Sequence, residues 1–414
     1  MRRKVWRVVA ANCAIALTAL WWAACLRPVQ AQEEKKREKL GSSLKRLKWD
    51  EQKGAAVEKT KKEPERKPAA AADPDVLRIE TPLAVFDLLV VDRHGRVISG
   101  LTKDDFVVAE DGVRQQVSTF SLGDNVEQPR SIVLIIDYSS SQLPFLKTSI
   151  AAAKTLVEQL GPKDKMAVVT DDVSLLLDFT SDKTRLKAGL DLVLEKPLRK
   201  NAYGRSEQYT ALLAVLREMA SEEERPIVIF QTDGDQLTYL RAQDDGRRYK
   251  RSPKEVEFGL ADVVAAAQRS HTTIYSVISG IRFLDLAPSQ KQERAKRLLE
   301  SRSSYTGVGY ALFLERATEN TAYLESLAEF WTTVQAALAN IASGSGGWHE
   351  FLEWPEQAAG IYTKILNDIN RRYIIGYSPT NDARDGKLRK VQFEVRGHPE
   401  YVVVGRRSYY APAQ

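Results

Sequence analysis

The body of this 414-residue chain has no cysteine, because the two present, Cys13 and Cys25, both lie in the first 31 residues. With that leader removed, no thiol and no disulfide remains, so stability rests on packing alone, and a cysteine-free body suits an oxidising compartment. Histidine is also scarce: His94, His271, His349 and His398 are scattered, with no metal-ligand spacing between them. The one approach to a zinc-peptidase motif, His349-Glu350-Phe351-Leu352-Glu353, fails at its last position. No Walker A loop occurs, and Gly344-Ser345-Gly346-Gly347 lacks the Gly-x-Ser-x-Gly spacing of a nucleophile elbow. These absences leave no supported catalytic class, and the chain reads as a non-enzyme.

The leader is distinctive. Met1-Arg2-Arg3-Lys4 is a basic start, residues 8–26 are uncharged and apolar, and Val29-Gln30-Ala31 gives a small-x-small cleavage signal. Residues 1–31 read as a secretory signal peptide, with an uncleaved membrane anchor or a lipoprotein lipidated at Cys25 as alternatives. All three export the body, to the periplasm, the cell envelope or the medium. Much of the net charge of +6 sits in this leader and in the mixed Lys, Arg and Glu run that follows. Without aromatic platforms or a reading helix, that charge predicts no nucleic-acid partner. Residues 32–75 read instead as a charged, low-complexity linker, a solvated tether for the folded part.

From residue 76 the pattern becomes globular. Residues 76–125 alternate with period 2 around the turns Asp92-Arg93-His94-Gly95 and Glu110-Asp111-Gly112, which predicts an N-terminal β segment. Residues 130–371 alternate apolar strands with helical patterns. Ile132-Val133-Leu134-Ile135-Ile136, Ile227-Val228-Ile229-Phe230 and residues 274–278 read as strands buried on both faces, with helices at 186–194, 211–219, 323–341 and 357–369. The expected fold class is α/β, a doubly wound, mostly parallel sheet flanked by helices. Residues 372–410 return to β and are expected to pair with the N-terminal β segment as an accessory β-domain.

Asp137-Tyr138-Ser139-Ser140-Ser141 follows the first apolar strand directly. It therefore falls at a strand's C-terminal end, where open α/β sheets bind ligands. One carboxylate and two hydroxyls at i, i+2 and i+4 offer three oxygens to a hard cation. Thr210, placed just before a predicted helix, and Asp233, in Thr232-Asp233-Gly234 after the second strand, belong to loops at the same edge. Plainer roles exist for each: a polar strand end for Asp137, a helix N-cap for Thr210, a turn for Asp233-Gly234. Asp235 reads as a loop carboxylate rather than a ligand. A dehalogenase-type phosphatase would also begin at a strand-end Asp, but needs a second Asp at position 139, which is Ser.

In these residues the chain resembles the von Willebrand factor A-type domain, whose metal-ion-dependent adhesion site combines Asp-x-Ser-x-Ser, a distant Thr and a later Asp in a Thr-Asp-Gly-like turn. Leu101-Thr102-Lys103-Asp104-Asp105-Phe106, Phe179-Thr180-Ser181-Asp182 and Tyr373-Ile374-Ile375-Gly376-Tyr377-Ser378-Pro379 are similar to the VWFA-related domain family typical of acidobacterial secreted proteins. Gln142 and Ser140 depart from the commoner Met and Gly. Inserts at 237–255 and 282–320 align less readily. The resemblance implies a VWA/Rossmann-like fold and a Mg2+ site, open also to Mn2+ or Ca2+, held by Asp137, Ser139, Ser141, Thr210 and Asp233. It further implies a partner, a protein or surface ligand, that offers a carboxylate to the cation. A second reading is a structural or assembly factor of the envelope whose metal only stabilises the loops.

Overall fold

The computed structural model describes residues 44–50, 55–58, 83–125, 129–195, 206–219, 225–237, 258–302 and 315–412. The leader expected at 1–31 and, apart from Leu237, the insert expected at 237–255 lie outside the described residues. Among the described residues no helix is long and apolar enough to cross a membrane.

Among the described residues, sixteen strands and seven α-helices carry the fold. The strands are β1 (Lys45–Asp50), β2 (Ala55–Glu58), β3 (Ala84–Val91), β4 (Phe106–Glu110), β5 (Val113–Gln115), β6 (Val117–Leu122), β7 (Ser131–Ile136), β8 (Lys165–Thr170), β9 (Ser174–Thr180), β10 (Pro226–Thr232), β11 (Thr273–Ser279), β12 (His349–Leu352), β13 (Tyr373–Tyr377), β14 (Leu388–Val395), β15 (Val402–Val404) and β16 (Ser408–Tyr410). The helices are α1 (Leu143–Glu158), α2 (Lys183–Glu195), α3 (Gln208–Glu218), α4 (Leu260–Arg269), α5 (Pro288–Arg302), α6 (Thr321–Gly344) and α7 (Ala358–Asn370).

The central sheet runs β12-β11-β10-β7-β8-β9-β1-β2. Strands β12, β11, β10, β7 and β8 are mutually parallel, and β9 turns back antiparallel to β8. Every residue of β7 and β10 is buried, as continuous Val and Ile runs require of strands covered on both faces. Ile132, Leu134 and Ile136 pack with Leu146, Ile150, Ala153 and Val157 of α1. Those four positions recur at helical spacing and make one apolar stripe. The same cluster takes in Ile361, Ile365 and Ile369 of α7, so α1 and α7 lie side by side on one face. The expected α/β class, with a mostly parallel sheet flanked by helices, is the observed one.

The tether expected over 32–75 is corrected at two places. Its residues Lys45–Asp50 and Ala55–Glu58 are β1 and β2, a hairpin added to the sheet, with Lys45 and Arg46 registered on Ser174 and Leu175 of β9. Ladder hydrogen bonds come from the backbone, so a charged sequence can still cover an edge strand's free N–H and C=O groups. Strand β12 and helices α4 and α5 also went unpredicted. Each is short or charged, which hides its periodicity.

The accessory β-domain is a sandwich of two four-stranded sheets, β15-β3-β13-β6 and β16-β14-β4-β5. Strands from the two ends of the chain interleave: β13 lies between β3 and β6, and β14 pairs with β4. Alternate residues of β14 are buried, the period-2 signature of a strand with one wet face. Phe86 sits at the centre, 5.1 Å from Phe393 edge-on and 6.0 Å from Tyr377 in a stack. Glu110, 2% exposed, accepts hydrogen bonds from both Tyr377 and Tyr409 at 2.8 Å, so the buried carboxylate is satisfied across the sandwich.

Arg372 stands where α7 gives way to β13 and joins the two layers. It is 1% exposed, donates Nε to Asp368 Oδ2 at 2.7 Å and Nη1 to the Asp87 carbonyl of β3 at 3.2 Å. Tyr275 of β11 donates to the same Asp368 oxygen at 2.5 Å. Burial disfavours the Arg372 charge, but the neighbouring Tyr275, Asp368 and Asp87 outweigh it and hold the guanidinium cationic. Gly346 (φ 89°) completes the junction, since a Cβ there would meet the backbone of Gly405 at 3.1 Å. Arg372→Met would leave Asp368 buried with the Tyr275 hydroxyl alone. A loss of about 3–5 kcal/mol in urea unfolding is the expected outcome, the usual cost of removing one partner of a buried ion pair.

Candidate functional site

The parallel register delivers the site. Because Ile136 pairs with Gln231 and with Thr170, the next residues of β7, β10 and β8 emerge together at one rim. The ladder continues one step past the strands: Asp137 N donates to Gln231 O at 3.0 Å, and Asp171 N to Ile136 O at 3.3 Å.

Asp137 is 1% exposed, and its carboxylate is held by neutral donors. Ser139 N reaches Oδ1 at 2.9 Å, a local i to i+2 Asx turn, while Thr232 Oγ1 and Gln208 Nε2 reach Oδ2 at 2.9 and 3.0 Å. Residues Ser140–Gln142 then form one 3-10 turn that leads into α1. That turn brings the Ser139 and Ser141 hydroxyl oxygens within 3.1 Å of each other, with Ser139 half-buried and Ser141 exposed.

Asp233 arrives from the end of β10, lies beside the Ser141 side chain, and accepts from Asp235 N at 3.3 Å. Burial, and then the charges of Asp235 and Asp137, push its carboxyl well above the usual carboxylate range. The turn that places it needs Gly234. Its φ is 75°, and a Cβ there would stand 2.9 Å from Leu338 and 3.1 Å from Val334 of α6.

Thr210 is not an N-cap, as its plainer reading had it, nor does it precede the helix. Helix α3 begins at Gln208 with Glu207 at its N-cap, so Thr210 lies inside the first turn. Its Oγ1 accepts from Gln236 Nε2 at 2.8 Å. The helix starts earlier than the apolar pattern suggested because Gln208, Tyr209 and Thr210 are all buried against the rim.

The structure thus links Asp137, Ser139 and Ser141 in a chain of hydrogen bonds, sets Asp233 beside Ser141, and ties Thr210 to the loop after Asp233 through Gln236. Sequence reasoning missed the groups that hold them: Gln208, Thr232 and Gln236. Gln208 Nε2 bridges Asp137 Oδ2 to Asp235 Oδ1, the latter at 2.6 Å, so Asp235 is a partner of the cluster rather than a free loop residue. The only available signal was physical: buried carboxylates need donors, and the polar residues flanking the motif were the nearest ones. Tyr138 was also missed. Its backbone N–H reaches Asp171 at 3.2 Å and its hydroxyl Asp172 at 3.0 Å, which pins the loop to the β8–β9 turn.

Among the described residues no group of three or more His, Cys, Asp and Glu side chains gathers as metal ligands. A cation at this rim would depend on hydroxyl oxygens. The donor set fits one. It is all oxygen, which suits Mg2+, Mn2+ or Ca2+, and the mutual repulsion felt by Asp233 is what a positive charge would relieve.

No protein-family model matches the chain, and no curated protein matches it by sequence. Solved structures do resemble it at low similarity. The vWF domain of the type V pilus tip protein Mfa5 from Porphyromonas gingivalis is 14% identical over 58% of this chain and 95% of its own, with a TM-score of 0.32. The manganese-loaded TRAP protein of Plasmodium vivax is 11% identical over 73% of this chain and 98% of its own, with a TM-score of 0.31. Proximal thread matrix protein 1 of the mussel byssus is 14% identical over 58% of this chain, with a TM-score of 0.32, and the match spans 48% of its length. At these scores the fold rests on the strand order and pairing described above.

The residues of the discarded enzyme motif are occupied elsewhere. Glu350 pairs with Lys364 at 2.5 Å and Glu353 with Arg294, while His349 lies on edge strand β12 with its imidazole held below its usual value by burial.

The raised Asp233 carboxyl has a pH consequence. A group that holds its proton more tightly when folded adds stability below the ordinary carboxylate range, and that stability is lost as pH rises through the folded value. In EDTA, Asp233→Asn should therefore melt above the wild type at pH 7, with the gap shrinking toward pH 4. Thermal melts at the two pH values check this, and a gap independent of pH would refute it.

Proposed function

We propose that the chain is an exported binding protein whose rim holds a Mg2+ ion and docks a partner through an acidic group. The observation that carries this reading is the meeting of Asp137, Ser139, Ser141 and Asp233 at one rim, with neutral donors only on Asp137 and the Ser139 hydroxyl against that of Ser141. Ser139, Ser141 and Thr210 would hold the ion with uncharged oxygens, and Asp137 and Asp233 would supply the negative charge. When bound, a cation with so few anionic ligands remains electrophilic and accepts a further oxygen, such as a partner's Asp or Glu carboxylate.

The chain's own residues prepare that encounter. Ser141 is exposed while Asp137 and Asp233 are buried, so approach is from the hydroxyl side. Asp137 is saturated on Oδ2 by Thr232 and Gln208, which fixes its orientation before any ligand arrives. Nothing in the set activates a nucleophile or moves a proton to a substrate, which suits docking rather than turnover. The resemblance noted in the sequence, a von Willebrand factor A-type adhesion site, supports the same assignment, and the leader at 1–31 supports export.

Mg2+ at about 100 times its dissociation constant should stabilise the wild type by about 2.7 kcal/mol, a rise of about 4–5 °C in melting temperature at roughly 2 cal/mol/K of unfolding entropy per residue. Asp137→Ala should abolish the gain. Thermal melts in Mg2+ and in EDTA measure both, and an unchanged melting temperature in the wild type would sink the proposal. Capture of partners from an envelope extract, lost in EDTA and with Asp137→Ala, is the expected companion result.

A further inference from the structure

We propose that Gln236 is a positioning residue for the cation, acting through Thr210 and resting on the cation reading given above. Gln236 is 2% exposed, and both polar atoms of its amide are engaged. Its Oε1 accepts from Tyr209 N at 2.6 Å and from Thr210 N at 3.3 Å, and its Nε2 donates to Thr210 Oγ1 at 2.8 Å.

The two backbone N–H groups can only donate, so the amide oxygen must face them and the amide nitrogen must face the threonine. Amide orientation is therefore set by chemistry and needs no further assignment.

Gln236 also does for α3 what its own N-cap does not. Glu207 gives no side-chain cap, so the first free N–H groups of the helix are served from the loop after β10. The helix start and the Asp233 loop are thereby fastened together. Gln208 returns the bond: its Oε1 accepts from Gln236 N at 3.2 Å while its Nε2 holds Asp137 and Asp235. The arms carrying Asp137, Thr210 and Asp233 are joined through two glutamines.

The bond to Thr210 decides what that hydroxyl can offer. A threonine is stiff at χ1, and one that accepts from an amide keeps a single lone pair for a cation. Its proton must go to another acceptor. Gln236 thus sets both the rotamer of Thr210 and the direction of its remaining lone pair.

Two substitutions separate this role from plain packing. Gln236→Met fills the space but offers Thr210 no donor and the helix no acceptor. Gln236→Glu still accepts from the two N–H groups, yet presents an acceptor to Thr210, which then donates its proton and becomes a better ligand oxygen.

The test is Mn2+ affinity of the full chain, read by the loss of the free-ion paramagnetic resonance signal. Circular dichroism melts of the metal-free proteins verify folding. Gln236→Met is expected to weaken Mn2+ binding about 10–100-fold, the usual range for a group that orients a metal ligand. Gln236→Glu should bind at least as tightly as the wild type, and in a Thr210→Val background Gln236→Met should cause no further loss. Wild-type affinity in Gln236→Met, or an equal loss with and without Thr210, would overturn the proposal. A wild-type chain that takes up no Mn2+ would instead overturn the cation reading beneath it.

Discussion

The register of β7 on β10 is the constraint on which the rest depends. Six consecutive pairs, from Ser131 on Pro226 to Ile136 on Gln231, fix how far each strand reaches before it leaves the sheet. A one-residue slip would send every side chain of one strand to the opposite face. Asp137 would then face away from Thr232, and the hydroxyl that now caps its carboxylate would be lost. The apolar composition of both strands protects the register, because both faces are packed and any slip misplaces branched side chains on each. Burial and site geometry are here one property seen from two ends of the same strand.

Much of this was legible in the sequence, for identifiable reasons. Strands buried on both faces show as unbroken Val and Ile runs, and a polar motif straight after such a run can only be at the sheet's rim. The Asp137 to Ser141 loop and Asp233 were found that way. Thr210 was found too, but its setting was misjudged, because the buried polar start of α3 carries no apolar period. Gln208 and Gln236 escaped because an amide that serves a carboxylate looks, in one dimension, like any surface glutamine. β1 and β2 escaped because edge pairing is a backbone matter and leaves no trace in side-chain pattern.

The rim is held by strand pairing on the side of the sheet and tied to the helices on the other. Gln231, fully buried beneath Asp233, donates to Ser149 of α1 at 2.8 Å and accepts from Tyr362 of α7 at 2.8 Å. The site loops therefore rest on a polar bridge between two helices as well as on the apolar core. Buried polar groups of this kind are costly unless every one is satisfied, and here the satisfied ones lie directly below the candidate site.

The sandwich has a consequence for how the chain comes into being. Its strands β3 and β13 are neighbours in space but stand far apart in sequence, as the 285-residue separation of Asp87 and Arg372 illustrates. At ordinary synthesis rates of roughly 5–20 residues per second, β3 waits roughly 14–57 s for its partner. During that interval the α/β layer can close on its own contacts, whereas the apolar face around Phe86, Leu88 and Val90 lacks Tyr373, Ile375, Phe393 and Val395, its later-made neighbours in the same cluster. Strand β3 is thus completed late although it is made before β7, β8, β10, β11 and β12 of the central sheet.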